Sequence, residues 1–268
     1  MDKIGFIGCG KMASAIIKGL ISKKIISDSN IIASCKDIDL LAEKAKSLGI
    51  EVADDNKKVV NSANIVFIAV KPNQIGDVMA DISTLITKEK LIISILAGVQ
   101  IRKIESFLPE GCRIIRVMPN ITALIGEGMS GIYPGTYATE QDVETVKNML
   151  MAIGNCIVLD NEEQMDIVTA ISGSGPAFYC KVINDIAKAG EKLGMDYNKA
   201  LLLSIQTAIG SAKMALQREI PIEQMIANVA TKGGCTRVGI DCMEELNTED
   251  IFYNVIKNTT KKAHELGQ

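Results

Sequence analysis

Residues 3–22 read KIGFIGCGKMASAIIKGLIS, and the fold turns on how that stretch is parsed. Lys3–Ile7 is a short apolar run suited to a strand, Gly8-Cys9-Gly10 breaks it, and an amphipathic helix follows from Lys11 to about Ser22. Gly8, Cys9, Gly10, Lys11, Met12 and Ala13 match G-x-G-x-x-G/A. That pattern is weak alone but informative directly between a strand and a helix: Gly8 permits the tight turn, Gly10 lets backbone N–H groups reach a pyrophosphate, and Ala13 keeps helix and strand close. Dinucleotide sites that take NAD carry an acid at the tip of the second strand, for the ribose 2′-hydroxyl. Here that tip is Ala33-Ser34-Cys35-Lys36, with no carboxylate before Asp37. The hydroxyl of Ser34 and the ammonium of Lys36 suit a 2′-phosphate better, so NADP(H) is the preferred cofactor and NAD(H) the alternative.

Moving outward, strand-like runs Asn30–Ser34, Asn64–Val70, Leu91–Ile95, Arg113–Met118 and Gly128–Tyr133 alternate with helical patterns. Gly49 is placed to cap the second helix and Pro72 suits the first turn of another. Thr139, with Asp142 three residues on, opens a helix that Gly154 is expected to end. This alternation predicts a Rossmann-like, doubly wound, mostly parallel sheet over residues 1–160. Residues Ala69, Val70, Lys71 and Pro72, then Ala97 and Gly98, then Pro119 and Asn120 fall at successive strand ends, where such folds bind ligand. Together with Asn56 they complete the candidate cofactor set. From 161 to 268 only helical patterns remain, beginning with a capping-box-like Asn161/Gln164 pair. An all-α segment this short and apolar is expected to bury much of its surface between subunits.

Composition narrows the function classes. A net charge of −3, with lysines only in isolated pairs, argues against nucleic acid. The apolar run from Ala200 to Ala212 is about 13 residues, short of the roughly 20 a spanning helix requires. The start Met1-Asp2-Lys3 runs straight into the first strand, so no signal peptide is expected. Seven cysteines without a CxxC pair, and a single His264, suggest reduced thiols in the cytoplasm and no metal site. Cys9 and Cys235 lie in candidate ligand loops, so thiol modifiers are expected to inhibit and NADPH to protect Cys9.

Two further stretches are more specific: SGSGPA at residues 172–177 and VATKGGCT at 229–236. With AVKP at 69–72 and MPN at 118–120, they make the whole chain resemble the pyrroline-5-carboxylate reductases. That resemblance implies NADPH-dependent reduction of the cyclic imine to L-proline, the last step of proline biosynthesis. It implies a homodimer built from exchanged helices, often assembled into decamers. It also implies that Ser174 and Gly175 face Thr231, Gly233, Gly234, Cys235 and Thr236 across the dimer, forming the substrate-carboxylate pocket. The physics agrees, since a Gly-Gly pair before a helix exposes consecutive N–H groups to an anion. Thr236 would offer its hydroxyl to the ring nitrogen. Thr231 stands where the family often has serine, and Lys232 where many members have proline.

His264 lies in KNTTKKAHEL, far in sequence from every motif, and reads as a surface residue. A cyclic imine needs little acid catalysis, because its nitrogen protonates near neutral pH; orientation is then the main task. Two alternatives stay open: a reductase of a six-membered imine, and a 3-hydroxyacid dehydrogenase using Lys181 with Asn184. For the latter, the spacing from the glycines is about two residues too long, which turns the lysine to the opposite helix face. A non-catalytic dinucleotide sensor is the remaining rival.

Overall fold

In the computed structural model, residues 3–217 and 219–267 are described. The chain forms two compact units: one runs through Ser174 and takes in the segment from Thr259 onward, and the other is Gly175–Asn258. The first unit contains, in order, β1 (Ile4–Ile7), α1 (Lys11–Ser22), β2 (Ile31–Ser34), α2 (Ile38–Leu48), β3 (Glu51–Val52), α3 (Asn56–Ser62), β4 (Ile65–Ile68), α4 (Ile75–Ile82), β5 (Leu91–Ser94), α5 (Ile101–Glu105), β6 (Arg113–Met118), β7 (Gly128–Pro134), α6 (Glu140–Leu150), β8 (Gly154–Val158) and α7 (Gln164–Val168). Their sheet runs β3-β2-β1-β4-β5-β6-β7-β8. It is parallel from β3 to β6; β7 is antiparallel to β6, and β8 is parallel to β7. The order reverses between β1 and β4, and the crevice outside the carboxyl ends of those strands is where such sheets bind ligand.

β1 and β4, at the centre of the sheet, are apolar along their whole length because both faces are covered. Phe6, Ile31, Phe67 and Ile93 face α1, α2 and α6, whose Ile16, Leu20, Leu41 and Met149 complete one core. Ile7, Ile32, Val66, Ile68 and Ile92 face the other way and pack with Val59, Val60, Met79 and Ile104 from α3, α4 and α5. Phe6 and Phe67 stack across β1 and β4 with ring centroids 4.6 Å apart.

Local signals hold at several ends. Gly49 caps α2 in the left-handed region, and Thr139 and Asp142 form a reciprocal capping box at α6. Elsewhere the structure departs from expectation. Gly154 does not cap α6, which ends at Leu150; it opens β8 at φ +145°, so close to Gly128 that a β-carbon would meet its carbonyl oxygen at 2.0 Å. The edge strands β3 and β8 carry partly exposed or polar residues, and their patterning does not announce them. Pro72 opens a 3-10 turn that leads into α4. Asn161 does accept the N–H of Gln164, but α7 gives way after Val168 to a π-helical turn, Thr169–Gly173.

The second unit holds α8 (Gly175–Lys192), α9 (Tyr197–Gln217), α10 (Ile222–Val229), α11 (Cys235–Glu245) and the start of α12 (Thr248–Gly267). Its buried residues, among those described, are all small: Gly175, Ala187, Ala200, Ser204 and Ala230. Its large apolar side chains, including Tyr179, Ile186, Leu202, Leu203 and Met214, are exposed in the single chain. Large apolar side chains exposed in such number mark an association face. No helix among the described residues is long and apolar enough to cross a membrane.

Phe67 has no exposed surface and bridges β4 to the ring of Phe6. Phe67→Ala is expected to cost about 3–5 kcal/mol of stability, measured by urea denaturation at fixed protein concentration so that subunit association does not confuse the comparison.

Candidate dinucleotide and substrate site

The turn after β1 closes tightly against the end of β4. Gly8 has φ +95°, and a β-carbon there would stand 2.6 Å from the carbonyl oxygen of Ala69. Only glycine satisfies both demands. A β-carbon on Gly10, which precedes α1, would meet nothing within 4 Å, so space lies open beside the helix start. No side chain caps α1 and no acid occupies its first turn, leaving an end suited to a phosphate. Ala13 is buried in the core and Met12 packs against it, while Lys11 is exposed.

Gly8, Cys9, Gly10, Ser34, Lys36, Asn56, Ala69, Val70 and Lys71 line one cavity of about 660 Å³, at the point where the strand order reverses. Its shape and open helix end fit a dinucleotide. Ser34 is nearly buried and donates to Asn56 Oδ1 at 2.7 Å, so its hydroxyl is turned toward that amide. Asp37, the first acid after β2, accepts the N–H of Leu40 and serves as the cap of α2. Lys36 is an exposed cation on this cavity, as is Lys71.

Lys71 also borders a second cavity, of about 860 Å³, with Pro72, Ala97, Gly98 and Gln100. Pro119 and Asn120 are buried instead. Asn120 Nδ2 donates to the carbonyl and hydroxyl oxygens of Ser172, at 3.1 and 3.2 Å. Its Oδ1 accepts from Thr122 Oγ1 and from the N–H of Met129. The amide is thus committed within the protein, tying the end of β6 to the start of SGSGPA.

Within the second unit, Gly233 takes φ +79° and Gly234 N-caps α11 without any side-chain capping bond. Thr231, Lys232, Gly233 and Cys235 are exposed, Gly234 and Thr236 partly so. Ser174 and Gly175 join the π-helical turn to α8. The rival pair is otherwise employed: Lys181 forms an ion pair with Asp185, one turn along its helix, and Asn184 Oδ1 accepts from Tyr197 at 2.9 Å. The Lys181 side chain is 70% exposed, an ordinary solvated position.

Two expectations need correction. His264 is a surface residue as expected, its side chain 56% exposed, but it is far from the motifs only in sequence. The end of α12 folds with the first unit, His264 Nδ1 lies 3.0 Å from Asp166 Oδ2, and the residue lines the second cavity with Ala97 and Gly98. Cys9 is 1% exposed and burial pushes its thiol pKa up, which makes it a poor nucleophile. Sequence reading also missed Lys44, whose Nζ donates to the carbonyl of Cys9 at 2.6 Å, and the cavity-lining Asp54, Gln74, Asp77 and Asp81. Polar residues on helices, turns and loops carry no local signal that sets these apart.

Comparison with known proteins follows this geometry. Residues 3–98 match the family described as NADP oxidoreductase coenzyme F420-dependent, and residues 162–266 match pyrroline-5-carboxylate reductase dimerisation. The chain is 40% identical to the pyrroline-5-carboxylate reductase of Methanosarcina acetivorans, covering 100% of this chain and 98% of that one. A Coxiella burnetii pyrroline-5-carboxylate reductase structure superposes with a TM-score of 0.95 at 31% identity, covering 100% and 99% of the two chains. The Plasmodium falciparum pyrroline carboxylate reductase, solved with NADP bound, gives 0.86 at 29% identity, over 100% and 98%. The chain belongs to the pyrroline-5-carboxylate reductase family.

Proposed function

We infer that the protein reduces 1-pyrroline-5-carboxylate to L-proline with NADPH, the closing step of proline biosynthesis. The observation that carries this reading is the end-to-end likeness to a pyrroline-5-carboxylate reductase at 40% identity, joined to a glycine turn whose geometry suits a dinucleotide phosphate.

When bound, the cofactor supplies a hydride from its nicotinamide ring. The chain's own contributions are binding, orientation and exclusion of water. Backbone N–H groups after Gly10 take the pyrophosphate, and Lys36, with Ser34 and Asn56 behind it, takes the 2′-phosphate. Val70, Lys71, Pro72, Ala97 and Gly98 then line the path of the rest of the cofactor. The N–H groups at Gly233 and Cys235 hold the substrate carboxylate, Gly234 shapes the turn between them, and Ser174 and Gly175 complete the pocket in the dimer. Thr231 supports the Gly234 turn by accepting that residue's N–H at 3.0 Å. Thr236 hydrogen-bonds the ring nitrogen, which is already protonated in the electrophilic iminium, so no strong acid is needed. Orienting the two reactants can supply on the order of 7–11 kcal/mol.

Residues 161–268 act as the dimerisation and substrate segment of a homodimer. Seven unpaired thiols fit a cytoplasmic location.

NADPH oxidation at 340 nm with pyrroline-5-carboxylate tests the reading; silence with the imine and turnover of a 3-hydroxyacid would overturn it. Thr236→Ala is expected to lower kcat/KM roughly ten- to hundredfold, and an unchanged value would remove Thr236 from the mechanism. Lys36→Glu is expected to raise KM for NADPH by about tenfold or more, since a charge-assisted bond is worth ~1.5–3 kcal/mol, while KM for NADH stays level. Leu202 is 67% exposed and Ile209 lies two turns on, on the same face of α9. The double change L202D/I209D is expected to leave monomers in sedimentation velocity and to abolish turnover.

A further inference from the structure

Glu162 belongs to no motif, yet two separate parts of the first unit, β6 and the start of α5, meet on one of its oxygens. Arg116 lies within β6 with its side chain 3% exposed, and its NH1 donates to Glu162 Oε1 at 2.8 Å. The same oxygen accepts the N–H of Ile101 at 2.8 Å, across 61 residues of sequence. Ile101 opens α5, and Gln100 before it offers no side-chain cap, so this distant carboxylate does the capping.

The placement matters because of what runs into that N–H. After β5 the chain is held at Ile95, whose N–H donates to the carbonyl of Ile68 at 3.1 Å. It then passes through Ala97, Gly98, Val99 and Gln100, all on the wall of the second cavity. Glu162 fixes the far end of that loop. Arg116 fixes Glu162 in turn, since a buried guanidinium needs its counter-charge and holds the carboxylate in place. A dinucleotide whose 2′-phosphate sits at Lys36, beyond β2, and which crosses the switch point brings its nicotinamide to the β4–β5 side, beside this loop.

We propose that Glu162 is a positioning residue for hydride transfer: through Ile101, and locked by Arg116, it sets the Ala97–Gln100 loop against the nicotinamide end of the cleft. The proposal rests on the function given above. It concerns kcat more than cofactor affinity, because the glycine turn and the Ser34–Lys36 wall do not depend on Glu162.

The test uses the full-length protein with Glu162→Ala and Glu162→Gln. Glutamine keeps an oxygen for the Ile101 N–H, and alanine removes it. For E162A, kcat with pyrroline-5-carboxylate is expected to fall roughly ten- to hundredfold, the scale of a misplaced reactant. Its NADPH dissociation constant, read from cofactor fluorescence, is expected to stay near wild type, and E162Q to recover most of kcat. Amide hydrogen exchange, which needs no substrate, is expected to quicken at residues 96–105 in E162A and stay unchanged at residues 4–34. A folded E162A with wild-type kcat, or exchange rising uniformly across the first unit, would overturn the proposal. If E162A does not fold, E162D takes its place, its shorter carboxylate being unable to hold both partners; exchange quickening at 96–105 supports the proposal and its absence overturns it. A wild-type protein silent toward the imine counts against the function alone, and the exchange pattern still decides Glu162.

Discussion

The approach of Gly8 to the carbonyl of Ala69 is the constraint on which the rest of the first unit depends. With 2.6 Å between that oxygen and the place of a β-carbon, the β1–α1 turn closes over the end of β4 only where no side chain exists. That closure brings the start of α1 to the carboxyl edge of the sheet, at the strand-order reversal. It also leaves Gly8, Gly10, Ala69 and Val70 on one cavity wall. Lys44 reinforces the turn from α2 by binding the carbonyl of Cys9. The proposed phosphate recognition is therefore mostly a matter of backbone placement.

Legibility followed burial. Strands covered on both faces, such as Ile65–Ile68, advertise themselves as unbroken apolar runs. The helix after the glycine turn was legible because its apolar face repeats at the helical period while its N-terminus is marked by small residues. β8 was not legible, because an edge strand with partly exposed residues lacks both signals, and Gly154 at its start mimics a helix stop. Within the site, the glycine turn was readable since its chemistry is local, and the Lys36 strand tip lies where expected, on the cavity lining. The networks of Asn120 and Glu162 were not. Each joins residues 40 or more positions apart, and no spacing rule predicts which polar residue will be folded inward. Asn120 stands at a strand end, as a ligand contact would, and its amide is also used within the fold.

The second unit inverts the usual order of stability and association. Its buried positions are small residues at helix contacts, exemplified by Ser204 on the Ile183 carbonyl, while its leucines and isoleucines face outward. Apolar area left in water contributes nothing to folding. The helices therefore draw much of their stabilisation from a second copy, and oligomer and fold are linked by mass action. The candidate substrate loop lies in this unit, with Gly233 and Cys235 exposed in the single chain.

An imine that arrives already electrophilic relaxes the demand for acid–base groups, and the first unit reflects that. Its most buried charged cluster, Arg116 with Glu162, is spent on holding backbone, and its buried amide at Asn120 likewise holds Ser172 and Met129. Even the sole histidine is engaged with Asp166 at the cavity rim. Groups that in a hydrolase would be tuned to move protons are here used to fix loops. That division suits hydride transfer, whose rate depends steeply on the distance and angle between donor and acceptor carbons, while ionisable side chains add little once the nitrogen is charged. Residues without any contact to reactants, placed to restrict the loops that do make contact, are then the natural determinants of turnover.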